Sequence, residues 1–140
     1  MTPDWHQWDD PPRQESQEFL TKIVAGHSTV LEVIQHDANR YTLSRRDAAD
    51  REAFLTNVYI LGEADYLLLR ATHPNVDLII LASEWNSCTI DVKEVAMEDG
   101  LAIHSFKTLM RALNRRSDDD FVAYAYSPAD HSGRRHTRWP

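Results

Sequence analysis

The run Leu78-Ile79-Ile80-Leu81 is apolar at every position, with Asp77 before it and Ser83 soon after. A strand sends successive side chains to opposite faces, so four apolar residues in a row need cover on both. This predicts a central strand over residues 76–82, in a sheet with helices on either side. Thr89 or Ser87 can cap a helix that runs to residue 99, with Cys88, Val92, Val95 and Ala96 on one face. Gly100 stands where a C-terminal cap belongs. A short strand over 101–104 follows. Ser105 then caps a helix in which Phe106, Leu109, Met110 and Leu113 fall at helical spacing, with Arg115 and Arg116 at its negative end. A strand–helix–strand–helix order implies that the two strands pair in parallel.

The first half is less regular. A helix is expected from Arg13, after Pro11-Pro12, with Leu20, Ile23 and Val24 on one face and Gly26 at its end. Val30, Val33 and Ile34 mark a strand over 29–36, and Ala38-Asn39-Arg40 turns it back into 41–43 as a hairpin. Residues 47–73 fit a helix through Ala49, Phe54, Val58 and Leu61, capped by Ser44 or Asp47; strands at 57–61 and 66–69 are the alternative. Residues 121–126 alternate as an added edge strand would. The fold expected is a single three-layer-like α/β domain over residues 13–126, with a central mixed, partly parallel sheet flanked by helices. Residues 1–12 read as a polar N-terminal arm and 127–140 as a basic, flexible tail.

A chain of 140 residues with 42% hydrophobic content can build one core without disulfides or a structural metal. The single cysteine, Cys88, excludes an internal disulfide and fits a reducing, cytoplasmic setting. No apolar run reaches the length of a membrane span, and the first residues lack the pattern of a secretory signal. The net charge of −7 is unevenly spread: residues 107–140 carry seven Lys/Arg against four Asp, and the first 106 carry eight against eighteen Asp/Glu. Such an acidic body repels phosphate, which argues against non-specific nucleic-acid binding by the whole surface. In the basic tail, Arg134, Arg135 and Arg138 are the candidate contacts to nucleic acid or a protein partner.

None of the seven histidines forms an i, i+4 pair with a third ligand in view, and no glycine-rich loop is present. Cys88 reads as a small packing residue rather than a nucleophile. Glu84, Trp85 and Asn86, with Ser87, follow the central strand at the sheet edge where open α/β folds place ligands, and are a candidate ligand edge.

Residues 76–114 join Val76-Asp77-Leu78-Ile79-Ile80-Leu81-Ala82-Ser83 to Thr89, Lys93-Glu94-x-Ala96, Gly100, Leu101-Ala102-Ile103 and the 109–113 helix. This stretch resembles the C-terminal half of the Mrr-type restriction-endonuclease-like domain. The resemblance implies a nuclease-related domain that acts on or is associated with DNA. In that family an Asp on one strand and Glu/Gln-x-Lys on the next bind a divalent metal and activate water. The nearest match here is Glu32-Val33-Ile34-Gln35-His36-Asp37, where Gln35 fits but Asp37 stands in place of the lysine. No Gly-Gly-x-Asp precedes it, so the site this alignment implies is degenerate.

Asp77 and Asp91-x-Lys93 also resemble the PD-(D/E)XK nuclease signature directly. This requires a hairpin over 78–95 turning at Asn86-Ser87, which puts Asp91 and Lys93 on one face. Asp77 and Asp91 would then hold Mg²⁺, Lys93 would stabilise the attacking hydroxide, and Glu18 would complete the set. On a helix, Asp91 and Lys93 point about 200° apart and share no metal site. The capping residues and Gly100 favour the helix. The function expected is therefore a nuclease-related domain, using Mg²⁺ if active, with a non-enzymatic protein-interaction or regulatory module as the alternative.

Overall fold

A computed structural model describes residues 7–83, 86–115 and 117–124. Helix α1 (Gln14–Glu18) continues into a π turn (Phe19–Ile23) and a 3₁₀ turn (Val24–Gly26). There follow β1 (Val30–Gln35), β2 (Arg40–Arg45), β3 (Arg51–Thr56), the short β4 (Ile60–Leu61) and α2 (Glu63–Thr72). Then come β5 (Leu78–Leu81), the short β6 (Ser87–Cys88), α3 (Ile90–Asp99), β7 (Ala102–Ser105), α4 (Phe106–Ala112) and α5 (Asp118–Tyr124). The main sheet has five strands in the order β1-β2-β3-β5-β7. The first three form an antiparallel meander, and β3–β5 and β5–β7 pair in parallel. The fold is thus α/β, with a mixed, partly parallel sheet flanked by helices.

All four residues of β5 are buried, as the apolar run requires. Alternation divides the core between the two faces. Leu78 and Ile80 join Tyr41, Leu43, Ala53 and Leu55 under the α1 segment, α4 and α5. Ile79 and Leu81 join Phe54, Tyr66, Leu69, Val92 and Ala96 under α2 and α3. No residue of β1 or β2 belongs to that second core, so the β1–β2 hairpin runs out beyond the α2–α3 layer. The expected caps are present. The Thr89 hydroxyl accepts the Val92 N–H at 3.2 Å, Ser105 forms a reciprocal capping box with Thr108, and Gly100 ends α3 at φ 72°.

Three expectations are corrected. Residues 51–56 form β3, not part of a helix, and the helix waits until Glu63. Strands on both sides satisfy the β3 backbone, and its residues are buried on both faces, so tertiary pairing overrides the helical preference of Arg51-Glu52. Neither proposed cap serves, because Ser44 lies within β2 and Asp47 takes a left-handed turn at φ 56°. Second, Phe121 belongs to helix α5 rather than to an edge strand. Its side chain is fully buried beneath the guanidinium groups of Arg45 and Arg51, 4.7 and 4.6 Å from the ring centre. Residues 125–126 of that expected strand lie outside the described residues. Third, Ile23 is exposed, because the π turn rotates it away from the face of Leu20 and Val24.

Residues 7–12 of the N-terminal arm dock against the domain. The Trp8 ring lies 5.7 Å from Phe54 and 6.4 Å from His73, its carbonyl accepts the Thr56 hydroxyl at 2.8 Å, and Asn39 donates to the Asp10 carbonyl at 3.0 Å.

Candidate functional site

The hairpin on which the direct nuclease signature depends does not form. Asp91 sits exposed in the first turn of α3, and Lys93 is two residues further along the same helix, on another side. Asp77 precedes the N-terminal end of β5, whereas α3 begins beyond its C-terminal end, so a strand of about 13 Å separates Asp77 from Asp91. The metal pair and its lysine are therefore not brought together. Glu18 is on the surface of α1, 3.8 Å from Lys22 and bonded to Gln14.

Asp77, Asp37 and Gln35 have local structural roles. One oxygen of the Asp77 carboxylate accepts the Glu52 N–H at 2.9 Å, and the other lies 3.5 Å from the Arg51 guanidinium. Burial raises the Asp77 pKa above the carboxylate norm, with Arg51 and the Glu52 N–H working the other way. Burial lowers the Lys93 pKa, and the nearby Cys88 thiol partly offsets it. Burial likewise pushes the Cys88 thiol up. Asp37, in place of the lysine that the Mrr-type pattern asks for, builds the β1–β2 turn. Its carboxylate accepts from the Asn39 and Arg40 N–H groups and pairs with the Arg40 guanidinium at 3.2 Å. Burial acts upward on Asp37, but these contacts outweigh it and hold its pKa below the usual value. Gln35 donates to Gln17 and to the Tyr41 hydroxyl, each at 3.0 Å.

Of the candidate ligand edge, Asn86 closes its own loop by accepting the Ser83 N–H at 2.9 Å. Glu84 and Trp85 lie outside the described residues, as do Arg134, Arg135 and Arg138 of the tail.

A groove that the sequence did not signal opens where the β1–β2 hairpin emerges from the α2–α3 layer. It holds about 330 Å³ between His36, Arg40 and Glu52 on the strand side and His73, Pro74 and Asn75 on the turn after α2. The Thr42 hydroxyl donates its one proton to the Glu52 carboxylate at 2.9 Å, and so accepts from His36 Nε2 at 2.7 Å. In this arrangement His36 Nε2 carries a hydrogen and donates it to Thr42. The groove offers both signs of charge and an imidazole, a lining suited to polar side chains of a partner. Among the described residues, no group of three His, Cys, Asp or Glu is placed to hold a metal ion. The missed signal was Ala53-Phe54-Leu55, a short run buried on both faces like β5 itself; reading it as helix hid the pairing of Thr42 with Glu52.

Among the described residues, no helix is long and apolar enough to cross a membrane. No protein-family model matches the chain, and comparison with curated proteins and with solved structures returns no match.

Proposed function

We propose that this chain is a catalytically degenerate restriction-endonuclease-like domain that works by binding a protein partner, as an interaction or regulatory module, rather than by cutting DNA. The observation that carries the reading is the placement of lysine. The chain has three, Lys22, Lys93 and Lys107, and all lie on helical segments. No strand of the five-stranded sheet can therefore supply the carboxylate-x-lysine arrangement that metal-dependent hydrolysis of this type needs. The meander instead presents the groove lined by His36, Arg40 and Glu52, and the acidic body favours a protein over nucleic acid.

The test has two arms. Plasmid and linear duplex DNA are incubated with the full chain and Mg²⁺ or Mn²⁺; no cleavage above the metal-only control is expected. Cleavage that requires the metal and disappears in Asp77→Asn would overturn the reading and restore the nuclease. In the second arm, a partner captured by the wild-type chain should be lost with Glu52→Arg and retained with Glu98→Arg, which lies on the exposed side of α3.

A further inference from the structure

Helix α2 has two apolar faces. Tyr66 and Leu69 are buried in the core. On the opposite side, Ala64, Leu67, Leu68 and Ala71 are all exposed, with Leu67 at 53% and Leu68 at 55%. Their spacing of 0, 3, 4 and 7 residues makes one continuous stripe. The stripe is palindromic about the Leu67–Leu68 peptide bond: an alanine stands three residues to each side of the leucine pair. Glu63 and Arg70 flank one margin of it, and Asp65 and Thr72 flank the other.

We propose that this face pairs with the same face of a second copy, the two α2 helices running antiparallel about a two-fold axis. Such an arrangement sets Leu67 against the partner's Leu68 and Ala64 against the partner's Ala71, and the small alanines allow close approach. A two-fold interface joins each margin to itself. The first margin then places Glu63 beside the partner's Arg70, twice over, and the second places Asp65 beside the partner's Thr72. Parallel pairing would cross the margins and set Glu63 beside the partner's Asp65, like charge against like, instead. Antiparallel helices also bring each acidic first turn toward the other's C-terminal end, which suits both dipoles. The Arg70 guanidinium donates to the Val76 carbonyl at 2.7 Å and lies 4.0 Å from Asp99, while staying partly exposed. Two alanines and two leucines per helix fall short of the roughly 1,200 Å² that a stable interface buries. Tyr59 and Ile60, just before α2, and Met97, on α3, are also exposed. The product is a weak, reversible dimer.

Sedimentation of the full chain across a concentration series, up to about 100 µM, should show a monomer–dimer equilibrium. Leu67→Glu and Leu68→Glu should each weaken it by about tenfold or more, with unchanged far-ultraviolet circular dichroism and urea midpoint. A register test guards against an indirect effect. In a Cys88→Ser background, a mixture of Ala64→Cys and Ala71→Cys chains should oxidise to the mixed disulfide in preference to either homodimer. A strictly monomeric chain, a dimer insensitive to both leucine changes, or preferential Ala64→Cys homodimers would overturn the proposal. It stands apart from the DNA-cleavage test, because it concerns a different face of the molecule.

Discussion

The Arg51 guanidinium lies 3.5 Å from the carboxylate of Asp77, and the two residues join the start of β3 to the start of β5. Arg51 is almost wholly buried, over the ring of Phe121. Its charge is therefore balanced from one side by Asp77 and from another by an aromatic face.

Asp77→Ala should accordingly destabilise the domain. It removes a neighbour of a buried cation and the acceptor for the Glu52 N–H. A pair buried on both sides would cost more, but Asp77 is partly exposed, so about 1–2 kcal/mol is expected. Urea denaturation measures it. A loss of cleavage with no loss of stability would instead mark Asp77 as a catalytic residue.

Lys93 gives a pH-dependent prediction. Its pKa is lowered in the folded chain, by burial above all. Between that lowered value and about 10.4, the unfolded amine holds a proton that the folded one has lost. Unfolding then takes up a proton at Lys93, so the Lys93 contribution to stability rises with pH across this window, while Cys88, with its raised pKa, contributes in the opposite sense. Lys93→Met keeps the length of the side chain without its charge. It should abolish the rise and shift stability at neutral pH by less than about 1 kcal/mol. Urea midpoints collected against pH decide the matter, and an unchanged slope would show that Lys93 titrates as an ordinary lysine.

The second half of the fold was legible because its signals are local and agree with one another. Thr89 and Ser105 are caps with a chemical reason, Gly100 adopts the left-handed conformation that favours glycine, and β5 is apolar throughout. The first half misled because β3 is defined by its neighbours. Arg51 and Glu52 suit a helix surface, and only pairing with β2 and β5, together with Phe121 and Asp77, makes them strand residues. Phe121 misled for a related reason: alternation over six residues cannot separate an edge strand from a two-turn helix that buries one side. The groove was hidden by the same error, since His36, Glu52 and His73 come from three separate segments. The choice between helix and hairpin at Asp91 and Lys93 turned on capping, and the caps decided it.

The docked arm supports a further prediction. Trp8 covers Phe54 and His73, and its carbonyl accepts a hydrogen bond from the fully buried Thr56 hydroxyl. Trp8→Ala uncovers Phe54 but keeps that carbonyl. Trp8 is only partly buried, so the cost should fall below that of a core tryptophan, at about 1–2 kcal/mol. Removing residues 1–10 also takes away the acceptors for Thr56 and Asn39, and should cost more than the single change. Equal midpoints for the truncated and full chains would show that the arm contributes nothing to stability.

Tyr41 supplies the alkaline limit of the fold. Its side chain is fully buried, and its hydroxyl donates to the Ala38 carbonyl at 2.9 Å while accepting from Gln35. Burial, aided by the charge of Asp37 and opposed by the Gln35 bond, pushes its pKa up to about 12. An unfolded tyrosine loses its proton near about 10. Below that value both states are protonated, and the stability Tyr41 contributes is fully present. As pH rises toward 12 the unfolded chain ionises first, so that stability is progressively lost. Tyr66 is shifted in the same direction, by burial and by donating to Asp99 at 2.7 Å, so it adds to the loss. Tyr41→Phe removes one of the two. At neutral pH it leaves the Ala38 carbonyl without the hydroxyl and costs about 1 kcal/mol. Across the alkaline window its urea midpoint should fall less steeply than that of the wild type, and the ultraviolet ionisation curve of the folded protein should lose one late-titrating tyrosine. If the two proteins fall in parallel, Tyr41 ionises as freely in the folded chain as in the unfolded one.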